Sequence, residues 1–406
     1  MSLAKSMTPI FEPASSTGHA DSSAIGVRDV VKQFGSQKVL QGVSLDVGAG
    51  ETLVVLGPSG SGKTTLLRII AGLEQPDTGE VLLRSLSVNH LPTQKRQLGV
   101  VFQEQALFQK MTAKLNIAFG LRVRRFPRAV IRKTVDEMLE LTNLKEHQHK
   151  YPSQLSGGQR QRVALARALA YKPQAMLFDE PFSALDPLTR SELRKEVKQL
   201  LRELRISSLF ITHDQQEALE LGDRIAVLRN GVIEQQGTPA DIYDRPENEF
   251  IATSLGTANA FPAVLRNKHA VTGPLRLPLP SVNWSPLFEG RRVKVVFRPE
   301  DLVLGVRPVW TNAPYQLGQG LVESISYFGS TERLVIRLLL RYTPHQNNGH
   351  PQASLSLVSQ PQSDDVLITA TRTKWEARDT PIAVHDGVIV GLKDFRVLSA
   401  PCCSEA

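Results

Sequence analysis

Residues Gly57-Pro58-Ser59-Gly60-Ser61-Gly62-Lys63-Thr64-Thr65 spell a complete G-x-x-x-x-G-K-[ST] phosphate loop. The apolar run Thr52-Leu53-Val54-Val55-Leu56 precedes it, and Leu66, Ile69, Ile70 and Leu73 recur at helical spacing after it. A strand, a glycine-rich turn and a helix start are therefore expected in that order. Glycines at 57, 60 and 62 free the backbone to aim its N–H groups inward, where the positive end of the helix also favours an anion. Lys63 is expected to reach the β- and γ-phosphates of a nucleotide, and the Thr64 hydroxyl to hold Mg2+. A glycine-rich turn alone is more often structural; a full match with the right flanks is not.

The 406 residues are too many for one ordinary core, so two domains are expected. The composition, 41% apolar and 22% charged, is that of a soluble globular chain. No run approaches the roughly 20 apolar residues needed to span a bilayer. Residues 1–24 are Ser-rich and lack an apolar stretch, which reads as a flexible leader and not a secretory signal. The two cysteines, Cys402 and Cys403, are neighbours in the tail 401–406; this excludes a disulfide framework and fits a reducing cytoplasmic setting. Net charge is +8, with a basic cluster at Arg122, Arg124, Arg125, Arg128, Arg132 and Lys133. Such a cluster is a solvated helical face or a membrane-facing surface. Aromatic residues do not interleave with it as a nucleic-acid stacking platform requires.

Strand-like and helix-like runs alternate from residue 25 to about 255, which predicts an α/β domain. It opens with an antiparallel pair over 27–34 and 39–47 and contains a helical insertion at about 104–165. Arg229-Asn230-Gly231 between two apolar runs predicts a hairpin that closes this domain. Over 256–400 proline, glycine and β-branched residues dominate, as in Val293–Phe297 and Arg333–Leu338, which predicts a small all-β domain, a barrel or a sandwich. His345 and His350, in a polar loop without carboxylate or cysteine partners, make a weak metal site.

Met176-Leu177-Phe178-Asp179-Glu180 is an apolar strand ending in two acids. Beside a phosphate loop, Asp179 is expected near Mg2+ and Glu180 beside the attacking water. Leu155-Ser156-Gly157-Gly158-Gln159 then precedes an amphipathic helix, with Ser156 placed to cap it. The chain thus carries two anion-suited helix starts, more than one triphosphate uses.

With these motifs in hand the chain resembles the ATP-binding cassette family over roughly residues 27–245. Ser156, Gly157, Gly158 and Gln159 lie in what resembles that family's signature motif, which contacts the γ-phosphate of an ATP held by the opposite subunit. The resemblance further implies that Phe34 stacks on adenine and that Gln103 senses Mg2+ and the membrane partner. It makes Ser183-Ala184-Leu185-Asp186 the D-loop, with Asp186 its acid, and His213 the switch histidine near the γ-phosphate. It implies ATP and Mg2+ as ligands, Thr64, Gln103 and Asp179 as metal-associated residues, and Glu180 as general base. Two cassettes, copies or homologues, are then expected to clamp two ATP molecules head to tail.

The absence of a second phosphate loop, of a long coiled coil and of membrane spans argues against ribosome, DNA-repair and fused-exporter cassettes. Val296-Phe297-Arg298-Pro299-Glu300-Asp301 resembles a segment of the regulatory (TOBE-type, OB-like) domain of importer ATPases, and Gly391-Leu392-Lys393 resembles its closing strand. The implied protein is a peripheral subunit on the cytoplasmic face of the membrane. It docks on separate permease subunits, serves a solute-binding protein indirectly, and has no nucleic-acid partner. Segments 57–74, 106–121 and 151–159 resemble sulfate/thiosulfate importer ATPases; polyamine, ferric iron and sugar are the alternative cargoes, and a ribosome- or DNA-acting ATPase is the alternative class. Two residues depart from the family pattern: Gln109, usually proline, beside the groove for the membrane partner, and Phe178, commonly leucine.

Overall fold

The computed structural model describes residues 23–273, 275–279, 289–306, 312–339 and 365–399. Cys402, Cys403, His345, His350 and most of the expected leader lie outside the described residues. The chain divides by its contacts between Ile242 and Tyr243.

In the first unit, β1 (Ser23–Phe34) and β2 (Gln37–Gly48) form an antiparallel hairpin that leads to β3 (Thr52–Leu56), α1 (Lys63–Ala71), β4 (Thr78–Leu83) and β5 (Leu86–Ser87). Ser23 and Ala24 therefore belong to β1 and not to the leader. These strands, without β3, make a four-stranded sheet of order β2-β1-β4-β5. β6 (Leu98–Val101) is followed by the helices α2 (Ala113–Val123), α3 (Arg128–Leu141) and α4 (Gly157–Leu169). Then come β7 (Ala175–Asp179), α5 (Pro187–Leu204), β8 (Ser207–Thr212), α6 (Gln215–Leu221), β9 (Arg224–Arg229) and β10 (Val232–Gly237).

The second sheet has the order β10-β9-β3-β8-β7-β6, all parallel except β10. Its central strands β3 and β8 are buried at every position because both faces are covered. Leu53, Val55, Leu177, Leu209 and Ile211 share one core with Leu66, Ile69 and Ile70 of α1. That core fixes α1 against the sheet from behind. The far end of α1 is closed by Arg96, 1% exposed, whose guanidinium donates to the carbonyls of Ile69 and Ile70 at 2.7 and 2.9 Å. The basic cluster lies exposed at the end of α2 and along α3, with Arg124 stacked 4.2 Å from the Tyr171 ring.

The expected hairpin at Arg229-Asn230-Gly231 is present, with Asn230 and Gly231 both left-handed at φ 49° and 77° and Val232 paired to Arg229. α7 (Pro239–Asp244) carries the division, and α8 (Glu249–Ser254) follows. The division falls ahead of residue 255 because α8 packs with the β-rich unit: Ala252 clusters with Val296 and Leu398. Arg298 donates to the carbonyls of Ala252 (2.6 Å) and Tyr243 (2.8 Å). The Arg298-Pro299-Glu300-Asp301 segment is thus a structural anchor.

The second unit continues with β11 (Asn259–Arg266), β12 (His269–Thr272), β13 (Leu275–Pro278), β14 (Arg292–Phe297), β15 (Leu302–Gly305), β16 (Tyr315–Tyr327) and β17 (Thr331–Leu339). β18 (Val366–Thr373), α9 (Lys374–Asp379), β19 (Gly387–Leu392) and β20 (Arg396–Ser399) end it. Two five-stranded antiparallel sheets, β13-β12-β11-β14-β20 and β15-β19-β16-β17-β18, share one apolar core. Gly391 and Leu392 end β19 and are not in the last strand; β20 follows and pairs with β14.

Candidate nucleotide-binding site

β3 stops at Leu56 and α1 starts at Lys63, so residues 57–62 must turn within one short loop. Two of its glycines are sterically required. A Cβ at Gly57 would run into the Leu228 carbonyl and the Ser61 hydroxyl. At Gly62 (φ 103°) it would meet Leu40 Cδ2 and the Val39 carbonyl at 2.8 Å. Gly62 caps α1 without any side-chain acceptor, so the first N–H groups of the helix are not claimed by a local side chain. Lys63 is 5% exposed, and its ammonium donates to the carbonyls of Gly57 and Pro58 at 2.9 Å each. Burial lowers its pKa, opposed by the carboxylates of Glu180 and Asp179. Pro58, Ser59 and Gly60 are exposed on the loop, and Thr64 and Thr65 are half-buried in α1.

The parallel registers bring the acids and the histidine to the same edge. Leu56 pairs with Thr212, Asp179 with Ile211, and Val101 with Phe178. The C-terminal ends of β3, β8, β7 and β6 therefore lie side by side, and the phosphate loop, His213, Asp179-Glu180 and Gln103 follow directly from them. His213 Nδ1 lies 3.0 Å from Glu180 Oε1. Glu180 sits at φ 43°, a conformation uncommon for a non-glycine residue, held by its N–H to the Ile211 carbonyl (3.0 Å) and by Ser183 Oγ donating to its carbonyl (3.0 Å). Asp179 accepts a hydrogen bond from the Thr64 side chain. Its pKa is raised, first by burial and then by Glu180, with Arg68 and Lys63 opposing.

Three oxygen-bearing residues, Thr64, Asp179 and Gln103, suit a hard cation such as Mg2+. Among the described residues no group of three or more His, Cys, Asp or Glu side chains stands ready to hold a metal. A cation here would complete its shell with phosphate oxygens and water, as Mg2+ does. Ser61 Oγ, buried and without a hydrogen-bond partner among the described residues, is a further polar group consistent with a loop shaped around a ligand.

Phe34 ends β1 and is 49% exposed, with the Lys32 ammonium 5.0 Å from its ring centre. β2, which pairs with β1, packs Val39 and Leu40 against Gly62, so this open aromatic sits on the hairpin beside the loop. Gln103 is exposed just beyond β6.

The signature segment is built differently. Ser156 Oγ accepts from the Gln159 N–H at 3.3 Å while Gln159 Oε1 accepts from the Ser156 N–H at 3.0 Å, a reciprocal capping box on α4. Gln159 Nε2 lies 2.9 Å from His147 Nε2. A Cβ at Gly157 would meet Leu185 Cδ2, and one at Gly158 would meet Thr189 Cγ2, both at 2.9 Å. The glycines thus let α4 begin tight against the D-loop. Asp186 is exposed and caps α5, accepting from the Thr189 N–H at 3.0 Å, which holds its carboxyl below the usual range. The side-chain hydrogen bonds of Ser156 and Gln159 lead to each other and to His147, none of which belongs to the phosphate loop.

Several supporting roles escaped sequence reading, that of Phe178 included, which the sequence marked only as a departure from the family pattern. Phe178 stacks on Phe210 at 4.0 Å and 4°, stiffening the strand that delivers Asp179. Asp214 caps α6 immediately after His213. Thr212 Oγ1 donates at 2.6 Å to Glu217, a buried acid whose pKa burial pushes up. A buried acid after a strand gives a sequence signal only when its neighbours are known.

Residues 40–183 match the family model described as ABC transporter. The chain is 47% identical over 289 residues to the sulfate/thiosulfate import ATP-binding protein CysA of Photorhabdus laumondii, covering 70% of this chain and 79% of that protein. It is 43% identical over 318 residues to the protein of that name from Synechocystis sp., covering 78% and 85%. A solved structure, cbiO1 from Clostridium perfringens, described as part of the ABC transporter complex cbiONQ, superposes with a TM-score of 0.52 and 28% identity over 55% of this chain and 92% of that one. Motif order, strand topology and these relatives agree, and the chain belongs to the ABC transporter family as one of its ATP-hydrolysing cassette subunits.

Proposed function

We propose that this protein energises import of sulfate or thiosulfate through separate membrane subunits, with Glu180 and His213 as its hydrolytic pair. The observation that carries the chemistry is the 3.0 Å contact between His213 Nδ1 and Glu180 Oε1 on the strand edge that bears the phosphate loop. Glu180 takes a proton from water as the water oxygen bonds to the γ-phosphorus and the bond to the ADP oxygen breaks. His213 holds that carboxylate in place and faces the transferred phosphoryl group. Lys63 neutralises the β- and γ-phosphates, and Phe34 stacks on the base. Mg2+, held through Thr64, Asp179 and Gln103, would supply charge neutralisation on the phosphate oxygens.

Ser156, Gly157 and Gly158 serve the ATP of a second cassette, so turnover requires a dimer. The relatives' names support the cargo assignment. No helix among the described residues is long and apolar enough to cross a membrane, which fits a subunit that docks on permeases from the cytoplasmic side. A cavity of about 180 Å3 lined by Gln109, Leu107, Pro152 and Arg160 in the helical block supports docking there.

Glu180→Gln is expected to keep nucleotide binding, to lower turnover about 10²- to 10⁴-fold and to accumulate an ATP-bound dimer on size-exclusion chromatography. Undiminished turnover would overturn the hydrolytic assignment. For the cargo, ATPase in vesicles holding the permease should rise with sulfate and its binding protein; a rate indifferent to every permease would overturn the transport reading.

A further inference from the structure

Four residues, Ser183, Leu185, Arg190 and Asp214, close a ring through the hydrolytic pair. Glu180 contacts His213 at 3.0 Å, and the Glu180 carbonyl accepts from Ser183 Oγ at 3.0 Å. The carbonyls of Ser183 and Leu185 accept from Arg190 Nη2 at 3.4 and 2.9 Å. Arg190 Nη1 faces Asp214 Oδ2 at 3.5 Å, and Asp214 adjoins His213. Asp214 divides its work: Oδ1 caps α6 through the N–H groups of Gln216 (2.8 Å) and Glu217 (3.1 Å), which leaves Oδ2 for the guanidinium. Its own N–H is tied to Thr212 Oγ1 at 3.0 Å, so the switch loop is held from both sides. Arg190 side-chain exposure is 26%, low enough for a charge-assisted contact to be screened only in part.

We propose that Arg190 is a positioning residue which, by bridging the D-loop carbonyls and Asp214, holds the loop carrying His213 against the turn carrying Glu180. Planarity matters here: the guanidinium presents Nη1 to Asp214 and Nη2 to the two carbonyls as separate donors in one rigid fork, whereas a lysine has a single donor nitrogen. The left-handed Glu180 gives the turn a conformation its neighbours must impose, and Arg190 is one of those that impose it. This rests on the assignment of Glu180 and His213 to hydrolysis.

The test measures steady-state ATPase and nucleotide affinity on the full chain for Arg190→Gln, Arg190→Lys, Asp214→Asn, the Arg190→Gln/Asp214→Asn double variant and Glu180→Gln. Asparagine keeps an oxygen for the α6 cap, so Asp214→Asn removes chiefly the charged contact. Arg190→Gln should lower kcat about 10- to 100-fold with KM and nucleotide Kd within twofold, the split expected of misplaced groups. Arg190→Lys should recover part of the loss. The double variant should be no worse than the poorer single, because both cut one link. A wild-type kcat in Arg190→Gln, or multiplying losses in the double variant, would overturn the proposal. Should Arg190→Gln fail to fold, Arg190→Lys and Asp214→Asn decide, since a wild-type kcat in both overturns it. If Glu180→Gln turns over normally, the hydrolytic assignment itself fails; if it is inactive while Arg190→Gln is not, only the role of Arg190 fails.

Discussion

α1 and α4 begin in opposite ways. α1 starts on a left-handed glycine with no side-chain acceptor, whereas α4 starts inside a capping box that Ser156 and Gln159 close on each other. The first helix leaves its N–H groups to whatever anion enters the loop. The second already satisfies part of its own start and is pinned through Gln159 to His147 and through its glycines to Leu185 and Thr189. An open start suits a group that binds its ligand unaided. A self-capped one suits a preformed surface presented to a ligand that another subunit brings.

The sharpest way to break this comparison is to close the open start. Gly62→Ala must place a Cβ 2.8 Å from two atoms at φ 103°, a strain of about 1–3 kcal/mol before the clash is counted. Nucleotide affinity should fall more than about tenfold by calorimetric titration, and unchanged affinity would show that the loop does not need its glycine. A smaller effect on binding and a large one on turnover should follow at the other helix. Gly158→Val pushes against Thr189 Cγ2 and shifts the α4 start, so ATPase and ATP-dependent dimerisation should be lost while the monomer binds nucleotide as before. Loss of binding in that variant would mean that the two starts serve one site within one chain. Least of all, Ser156→Ala removes one cap at a cost of about 1 kcal/mol. That should appear as a fall of about 2–4 °C in melting temperature and a several-fold fall in ATPase.

Titration sharpens the contrast further. Burial raises the Asp179 pKa in the folded chain, so its ionisation costs stability at pH values above its folded pKa and that cost disappears below its unfolded one. Asp179→Asn should therefore raise the melting temperature of the nucleotide-free protein at neutral pH while abolishing Mg2+-dependent turnover. A lower melting temperature would mean that the Thr64 contact outweighs the burial cost.

Much of this is legible in the amino-acid sequence alone. The phosphate loop and the capped LSGGQ segment declare themselves, because spacing and residue type set local chemistry directly, whereas the acid-ending strand gains its meaning only beside the phosphate loop. The hairpin at Asn230-Gly231 was equally plain, since two left-handed residues in succession are rare outside such a turn. The β-rich unit was legible only as a class. Alternation marks its strands, but nothing local specifies that β20 joins β14 or that Arg298 anchors a helix some fifty positions earlier. Arg190 illustrates the same limit within the cassette. On the sequence it is one more cation in an amphipathic helix, and only the folded chain brings Leu185 and Asp214 to its guanidinium. Within the helical insertion expected at about 104–165, the chain breaks at Arg125 (φ 59°) between α2 and α3, which periodicity alone did not mark.

The hairpin between β9 and β10 has one more implication. Gly231 donates to the Ser61 carbonyl at 3.1 Å and accepts from the Gln41 N–H at 2.9 Å, while Gly57 abuts the Leu228 carbonyl. The nucleotide loop is thus buttressed by residues nearly fifty positions beyond the stretch 40–183 that carries the family likeness. A fragment trimmed to that stretch would retain the phosphate loop, the signature segment and the acid pair, lose Phe34, Asp186 and His213, and forfeit the scaffold that gives the loop its shape. For anyone cutting a minimal expressible cassette from this chain, the safe border lies past Gly237, where the last strand of that sheet ends.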